Sequence, residues 1–387
     1  MLALKLAFRN LLGAGLRTWL NVAVLSFAFV LIIFYNGMID GWNRQGQRDT
    51  REWETGNGQL WHPSYDRYDP YTIEESHAQL SEKVQQLIKD NTLTPILIRQ
   101  ATIFPQGRIQ NVILKGIDPN QKILKIPSKD LLNTTDGYAA IIGKRMAKSA
   151  KLKAGDNILL RWRDKNGTFD AHQIKIVSVF DCNVPSVDNG QLYMPLSTLQ
   201  QMTNLKNEAT LLIAGKDYKG GDLENWKFKS NKFLLADLEA MIKAKKGGGI
   251  VLEGLLLMIA LLAIFDTQVL SIFKRQKEIG TYIALGMTRQ QVVGLFTVEG
   301  AAHSILATLL GAVYGIPFFI YLNSVGINFG TPDMGITMAQ VIFPYYSLQL
   351  IVTTILLVVV SATIVSYLPS KKITKMRPAD ALKGKLQ

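Results

Sequence analysis

The sequence predicts a membrane α-helical protein: four transmembrane helices, with a large extracytoplasmic α/β (α+β) domain inserted between spans 1 and 2. Three observations carry that prediction. Four apolar runs, roughly Trp19–Ile39, Ile250–Phe273, Val292–Tyr321 and Ser347–Leu368, each reach the about 20 residues that a bilayer crossing needs. Between the first and second runs lies a stretch of about 200 residues of mixed polarity, in which short strand-like and helix-like patterns alternate. Outside that stretch, the basic residues sit at the ends of the apolar runs.

The charge distribution sets the orientation. The 387 residues include 43 Lys/Arg against 30 Asp/Glu, a formal charge of +13 that by itself would suggest nucleic acid or an acidic surface. Between Asp40 and Gly248, however, 30 Lys/Arg face 24 Asp/Glu, so this region carries only +6 with the signs well mixed. The other 13 basic residues flank apolar runs. Lys5, Arg9 and Arg17 precede the first; Lys274, Arg275, Lys277 and Arg289 link the second and third; Lys371, Lys372, Lys375, Arg377, Lys383 and Lys385 follow the fourth. Leu322–Tyr346 contains no Lys or Arg. Positive residues stay cytoplasmic, which puts both termini inside and 41–248 outside. The expected order is then a first span at 19–40, the outer domain at 41–248, a second span at 249–273 and a cytoplasmic connector at 274–290. A third span at 291–322, an outer loop at 323–346, a fourth span at 347–368 and a basic cytoplasmic tail at 369–387 complete it. The first run is longer than the 7–15-residue core of a signal peptide and no small-residue cleavage site follows it, so it reads as a permanent span.

Taken in order, residues 1–18 open with Leu4, Ala7, Phe8, Leu11 and Leu12 in an i, i+3, i+4 stripe, and Lys5, Arg9 and Asn10 on another face. This reads as an amphipathic helix on the cytoplasmic membrane surface, turned into the bilayer at Gly13 and Gly15. In the outer domain, Gly58–Pro63, Pro95–Ile103, Gln110–Gly116, Asn157–Trp162 and Gln173–Phe180 read as strands. Glu82–Asp90 reads as a helix, and Ala139–Lys151 as a strand running into one. Asp118-Pro119-Asn120 and Lys165-Asn166-Gly167 read as turns. The single cysteine, Cys182, cannot form an internal disulfide and reads as a buried small residue. Gly247-Gly248-Gly249 reads as a flexible joint ahead of the second span. It is not a phosphate loop, because no Gly-x-x-x-x-Gly-Lys-Ser/Thr string occurs.

Asp266 lies well inside the second run, and Glu299 and His303 lie inside the third. Burying such groups in lipid is costly, so they either face protein neighbours or water as structural groups or take part in function. Gly311 and Gly315 form a Gly-x-x-x-Gly pair that permits close helix contact, while Pro317 allows the alternative of loose packing around a bend. In the connector, Ile279, Tyr282, Ile283 and Gly286 recur at i, i+3, i+4 and i+7, one face of a short helix. Gly286 suits the left-handed end of that helix, and Thr288 with Gln291 is the pairing that starts the next. Spacing alone leaves two readings, a hairpin connector or a handle for a partner.

Residue identity points further. Glu278-Ile279-Gly280 and then Ala284-Leu285-Gly286, after Lys274-Arg275, closely resemble the coupling segment of FtsX/MacB-type ABC transporter permeases. Other phrases fit the same family in order: Leu6–Leu12 with Arg17-Thr18; Gly143 with Met146-Ala147; Gly155-Asp156; Val177–Phe180; Tyr193-Met194-Pro195; Glu299-Gly300; and Arg377–Leu382. Asp266 departs from the family, which often carries asparagine there. The resemblance implies a non-catalytic permease subunit in the bacterial inner membrane, with its large domain periplasmic. A separate ABC ATPase dimer would bind the ATP and Mg, leaving this chain with no cofactor of its own. A second permease, identical or related, would complete the membrane dimer. ATP-driven movement of the spans would reshape the outer domains, a mode called mechanotransmission, acting on a lipoprotein, lipid or other hydrophobic substrate. A large outer domain without a fused ATPase looks more like the lipoprotein-releasing (LolC/LolE-like) permeases than the macrolide exporters. A regulator that activates a cell-wall hydrolase and a sensor partner of a signalling system are the alternatives. By the same resemblance, Arg275, Lys277, Glu278, Ile279, Gly280, Tyr282, Ile283, Ala284, Gly286 and Met287 would contact the ATPase. Ile279, Tyr282, Ile283 and Met287 are expected to fill its groove, with Arg275, Lys277 and Glu278 at the rim.

Enzyme signatures do not occur. His62, His77, His172 and His303 make no His-Glu-x-x-His or other metal spacing, and there is no Gly-x-Ser-x-Gly. Basic-aromatic patches suited to nucleic acid are missing too.

Overall fold

A computed structural model describes residues 16–133, 138–329 and 341–375. The reading of Arg9 and Asn10 in a surface helix, the side chain of Arg17, and the tail from Arg377 onward lie outside what is described. The chain divides into two compact units, one of Met1–Trp42, Ile242–Asn328 and Val341–Gln387, the other of Asn43–Met241 and Phe329–Gln340.

The first unit is helical. Its long helices are α1 (Leu16–Thr50), α5 (Ala236–Lys274), α7 (Arg289–Val325) and α8 (Leu348–Ser370), with the short α6 (Gln276–Ala284) between α5 and α7. These four are long and apolar enough to cross a membrane. Side-chain caps fix two of their starts. Thr288 and Gln291 form a full capping box at α7, and the Ser347 hydroxyl accepts from Leu350 N–H at α8. Val22, Leu25, Phe29 and Ile33 of α1 are buried against Ala260, Ile264, Ala307, Val358 and Ala362 of the other three. Small residues on those three helices let α1 sit close. The Gly-x-x-x-Gly pair faces α1: a Cβ at Gly311 would lie 3.0 Å from Phe29, and one at Gly315 3.1 Å from Val30.

One expectation fails here. Gly247, Gly248 and Gly249 are not a joint but an interior part of α5. Glycine costs about 1 kcal/mol against alanine in a helix, and its use at Gly249 has a local reason. A Cβ there would fall 2.1 Å from the Tyr35 ring, whose hydroxyl donates to the Lys245 carbonyl at 3.2 Å. Close approach of α1 and α5, not flexibility, requires that glycine. Both helices also overrun their apolar stretches: α1 continues to Thr50 and α5 begins at Ala236.

The second unit is α+β. Its main sheet comprises β1 (Gln59–Trp61), β2 (Leu93–Ile103), β3 (Gln110–Ile117), β4 (Ala139–Gly143), β5 (Asn157–Arg163), β6 (Phe169–Phe180), β7 (Gln191–Pro195), β8 (Leu211–Ala214) and β9 (Lys227–Lys229). The strand order is β9-β1-β8-β2-β3-β7-β4-β6-β5. The pairs β3/β7 and β4/β6 are parallel and the others antiparallel. β2 is long enough to pair twice. Leu93–Ile96 meet β8, while Ala101–Ile103 meet β5, so six strands close into a ring. The period-2 pattern sorts side chains between two cores. Leu97, Leu114, Ile142, Leu160 and Ile176 pack with α3 (Lys144–Ala150) and α4 (Leu196–Met202), while Ile96, Ile98, Ile141 and Tyr193 pack with Trp61 and Phe180 on the other side. α2 (Glu82–Lys89) starts at a Ser81 cap. The 164–168 turn is held by the Asp164 carboxylate, which accepts from Asn166 and Thr168 N–H at 2.9 and 2.8 Å. Cys182 is buried, and burial pushes its thiol up to about 12.

Candidate functional site

The site is built where α5 ends, α6 turns and α7 begins. The sequence terminates α6 by a Schellman arrangement: Met287 N–H donates to Tyr282 O at 3.1 Å and Gly286 N–H to Ile283 O at 3.1 Å. Gly286 takes φ 96°, a conformation that glycine adopts without strain. Thr288 then opens α7 within one residue, so α6 is clasped between two fixed ends.

The apolar face of α6 points inward, against the expectation that a partner's groove would receive it. Ile279 is fully buried with Ile272 of α5, Val292, Val293 and Phe296 of α7, and Ile373 in the turn after α8. Tyr282, Ile283 and Met287 are half-buried against the same cluster. The physical reason is proximity: a nine-residue helix with tight turns at both ends finds apolar partners on its own neighbours first. Arg289 ties the block further, donating to the Thr374 carbonyl at 2.8 Å.

Arg275 is not a rim charge either. Its Nη1 donates to both carboxylate oxygens of Glu299, at 2.9 and 2.8 Å, and its Nε to Glu278 at 2.7 Å. The guanidinium lies over the Phe296 ring at 4.8 Å. The Arg275 and Glu299 side chains are only 18% and 9% exposed. A charge pair this enclosed is costly to break, because either partner alone is a buried charge without compensation. Glu299 thus finds its counter-charge outside its own run, on the connector.

Gly300 marks the crossing of three helices. A Cβ there would come within 2.2 Å of Ser366 Oγ on α8 and 2.7 Å of Gln268 Nε2 on α5. The Glu299-Gly300 pair therefore combines an ion-pair anchor with a close contact. His303, one turn on, is buried, with Nδ1 3.1 Å from the Glu299 carbonyl. Among the described residues, His303 Nε2 and Gln268 Oε1 are buried with no hydrogen-bond partner. Asp266 is on the exposed side of α5, unlike Glu299 and His303.

What α6 offers outward is Lys277, Glu278, Thr281, Ala284 and Leu285, all exposed. Leu285 is 79% exposed and is the one large apolar side chain on that face. Sequence reasoning missed it because the stripe through Ile279 is the stronger signal. The clue was Leu285 lying at i+4 from Thr281 and i+8 from Lys277, opposite that stripe. Among the described residues no three His, Cys, Asp or Glu side chains gather to hold a metal ion.

Residues 250–378 match the FtsX-like permease C-terminal family, a span that includes the whole of this site. The chain is similar to the lipoprotein-releasing system transmembrane protein LolC of Xylella fastidiosa, 22% identical over 57% of this chain and 58% of that one. It is also similar to the macrolide export ATP-binding/permease protein MacB of Campylobacter jejuni, 24% identical over 42% of this chain and 28% of that one. The matches thus span less than two thirds of these relatives' own length. The periplasmic region of MacB from Actinobacillus actinomycetemcomitans aligns with 50% of this chain and 98% of its own, at 12% identity and a TM-score of 0.32. The likeness to FtsX/MacB-type permeases read from the residues is matched by family and relatives alike.

Proposed function

We propose that this chain is the permease subunit of an ABC transporter of the mechanotransmission type, and that α6 is its coupling helix. The observation that carries the reading is the Arg275–Glu299 pair set in the buried cluster below it. A helix merely connecting two spans needs no charge pair locking it to the second. Held in this way, α6 passes a push on its outer face directly into α7, and through Gly300 to α5 and α8.

In this reading a separate ATPase dimer docks on the face formed by Lys277, Thr281, Ala284 and Leu285. Its closure moves the four spans, and the movement is relayed to the α+β unit on the far side of the membrane. Both termini are cytoplasmic, because that places the flanking Lys/Arg inside. The chain is non-catalytic; ATP and Mg belong to the partner. A second permease, identical or related, completes the dimer, and the substrate is a lipoprotein, a lipid or another hydrophobic molecule handled at the outer leaflet. We rank lipoprotein release first among these, a reading that the similarity to LolC supports.

The test is co-purification of the ATPase with the full chain, and ATPase activity of the reconstituted complex. Leu285→Asp is expected to release the ATPase while leaving the permease folded, because the side chain is largely exposed. Lys277→Ala is expected to reduce binding by less than about five-fold, as a solvated rim charge is worth roughly 0–1 kcal/mol. Wild-type retention of the ATPase by Leu285→Asp would overturn the docking face. Co-purification of a cell-wall hydrolase instead of substrate would redirect the proposal to a regulator.

A further inference from the structure

A groove of about 630 Å³ in the α+β unit is lined by Arg44, Arg48, Arg51, Lys122 and Lys216. Only two acids share the lining, Glu52 and Asp217, and Glu52 is already bound to Lys125 at 2.7 Å. Arg44, Arg48 and Arg51 recur at i, i+4 and i+7, so one side of α1 and the turn after it carries three guanidinium groups in a row. All five basic residues are exposed. Among the described residues, no hydrogen bond or ion pair occupies the side chains of Arg51, Lys122 or Lys216. Arg48 pairs with the neighbouring Asp49 at 3.3 Å, so it is Arg51, Lys122 and Lys216, whose like charges share the groove, that point to a ligand. The helix also widens into a π turn at Arg51–Thr55, a rare geometry that concentrates at functional sites.

We infer that this groove binds the phosphate headgroup of an anionic membrane lipid. Charge complementarity selects the anion, and guanidinium groups match phosphate oxygens in a fork. The volume falls within the range of small-molecule sites, about 300–1,000 Å³, and accepts a headgroup together with its glycerol. Connectivity selects the lipid over a free ion. Arg44 follows Ile39, the end of the first apolar run, by five residues, so at most about 18 Å of chain separates the two in any conformation. A site on that tether lies within reach of the headgroup layer on whichever side the unit is found. The inference rests on α1 being a membrane span. It does not depend on the ATPase or on the docking face of α6.

The test uses the full chain in nanodiscs made from equal amounts of phosphatidylglycerol and phosphatidylcholine, with retained lipid counted by native mass spectrometry after detergent extraction. Wild type is expected to retain phosphatidylglycerol preferentially. Removing Arg51, Lys122 and Lys216 together as Gln variants should weaken retention by about five-fold per residue, the scale of one basic group near an anionic surface. A control with Lys129, Lys148 and Lys153 changed to Gln, three exposed lysines elsewhere on the unit, should retain lipid as wild type does. Equal retention of the two lipids by wild type, or equal loss in both triple variants, overturns the site. Displacement of the lipid by millimolar inorganic phosphate overturns the choice of a membrane lipid in favour of a free anion. The substituted side chains are all exposed, so the thermal midpoint should not move.

Discussion

The helical unit is pinned by charge pairs at two places, and they are built differently. Near the start of α5, Lys246 pairs with Asp40 of α1, and Asn36 donates to Glu253 at 2.6 Å. The Lys246 and Asp40 side chains are 42% and 25% exposed, against 18% and 9% for Arg275 and Glu299 at the other end. Solvent can replace the first pair at little cost, since exposed pairs are worth roughly 0–1 kcal/mol. In the second, one guanidinium nitrogen reaches both carboxylate oxygens, an aromatic ring backs it and apolar side chains surround it, so breaking it strands a charge. One end can therefore rearrange its polar contacts cheaply while the other is held together. That asymmetry is what the proposed coupling from the α6 side would require.

The largest effect is expected at the enclosed pair. Arg275→Ala should destabilise the nanodisc-embedded protein by about 3–5 kcal/mol, because Glu299 is left buried and unpaired. Adding Glu299→Gln to that variant should restore part of the loss in thermal midpoint. A midpoint for Arg275→Ala equal to wild type would mean that the base is not locked. Next comes the ring beneath the guanidinium. Phe296→Ala removes a fully buried side chain and should cost about 3 kcal/mol, read from the same unfolding curves. If it cost under 1 kcal/mol, the cluster around Ile279 would be a loose contact.

A smaller effect separates two neighbouring glycines. Gly249→Leu should lose about 1–3 kcal/mol by driving Tyr35 aside, whereas Gly247→Ala, with nothing within 4 Å, should gain about 1 kcal/mol of helix propensity. Equal tolerance of both would return Gly247–Gly249 to the role of a joint. The smallest effect is Lys246→Ala, expected below about 1 kcal/mol and shrinking further in high salt. A loss as large as that of Arg275→Ala would erase the distinction between the two ends.

Much of the fold was legible because its signals are local. Apolar length marked the four runs, Thr288 with Gln291 marked a helix start, and period-2 alternation marked β5, whose Ile158, Leu160 and Trp162 are buried while their neighbours are exposed. The candidate site was legible as a location and misread as a surface. The stripe of Ile279, Tyr282, Ile283 and Met287 showed that α6 has an apolar face, and periodicity cannot say what covers it. Leu285 went unnoticed because a lone exposed apolar residue has no period. The glycine run was misjudged for a related reason: its composition says flexible, while the need at Gly249 comes from Tyr35, more than 200 residues away in sequence.

The sequence by itself determined the apolar helices, their caps, the α6 turn at Gly286 and the alternation of the sheet unit, since each depends on residues within a turn or two of one another. Only the tertiary structure decided that Glu299 pairs with Arg275, that Gly300 meets Ser366 and Gln268, and that the α6 stripe faces its own spans. It also decided that β2 pairs at both ends to close a six-stranded ring. Those outcomes turn on which of several chemically suitable partners is nearest once helices and strands pack, and distance between packed elements is not written in any one stretch of chain.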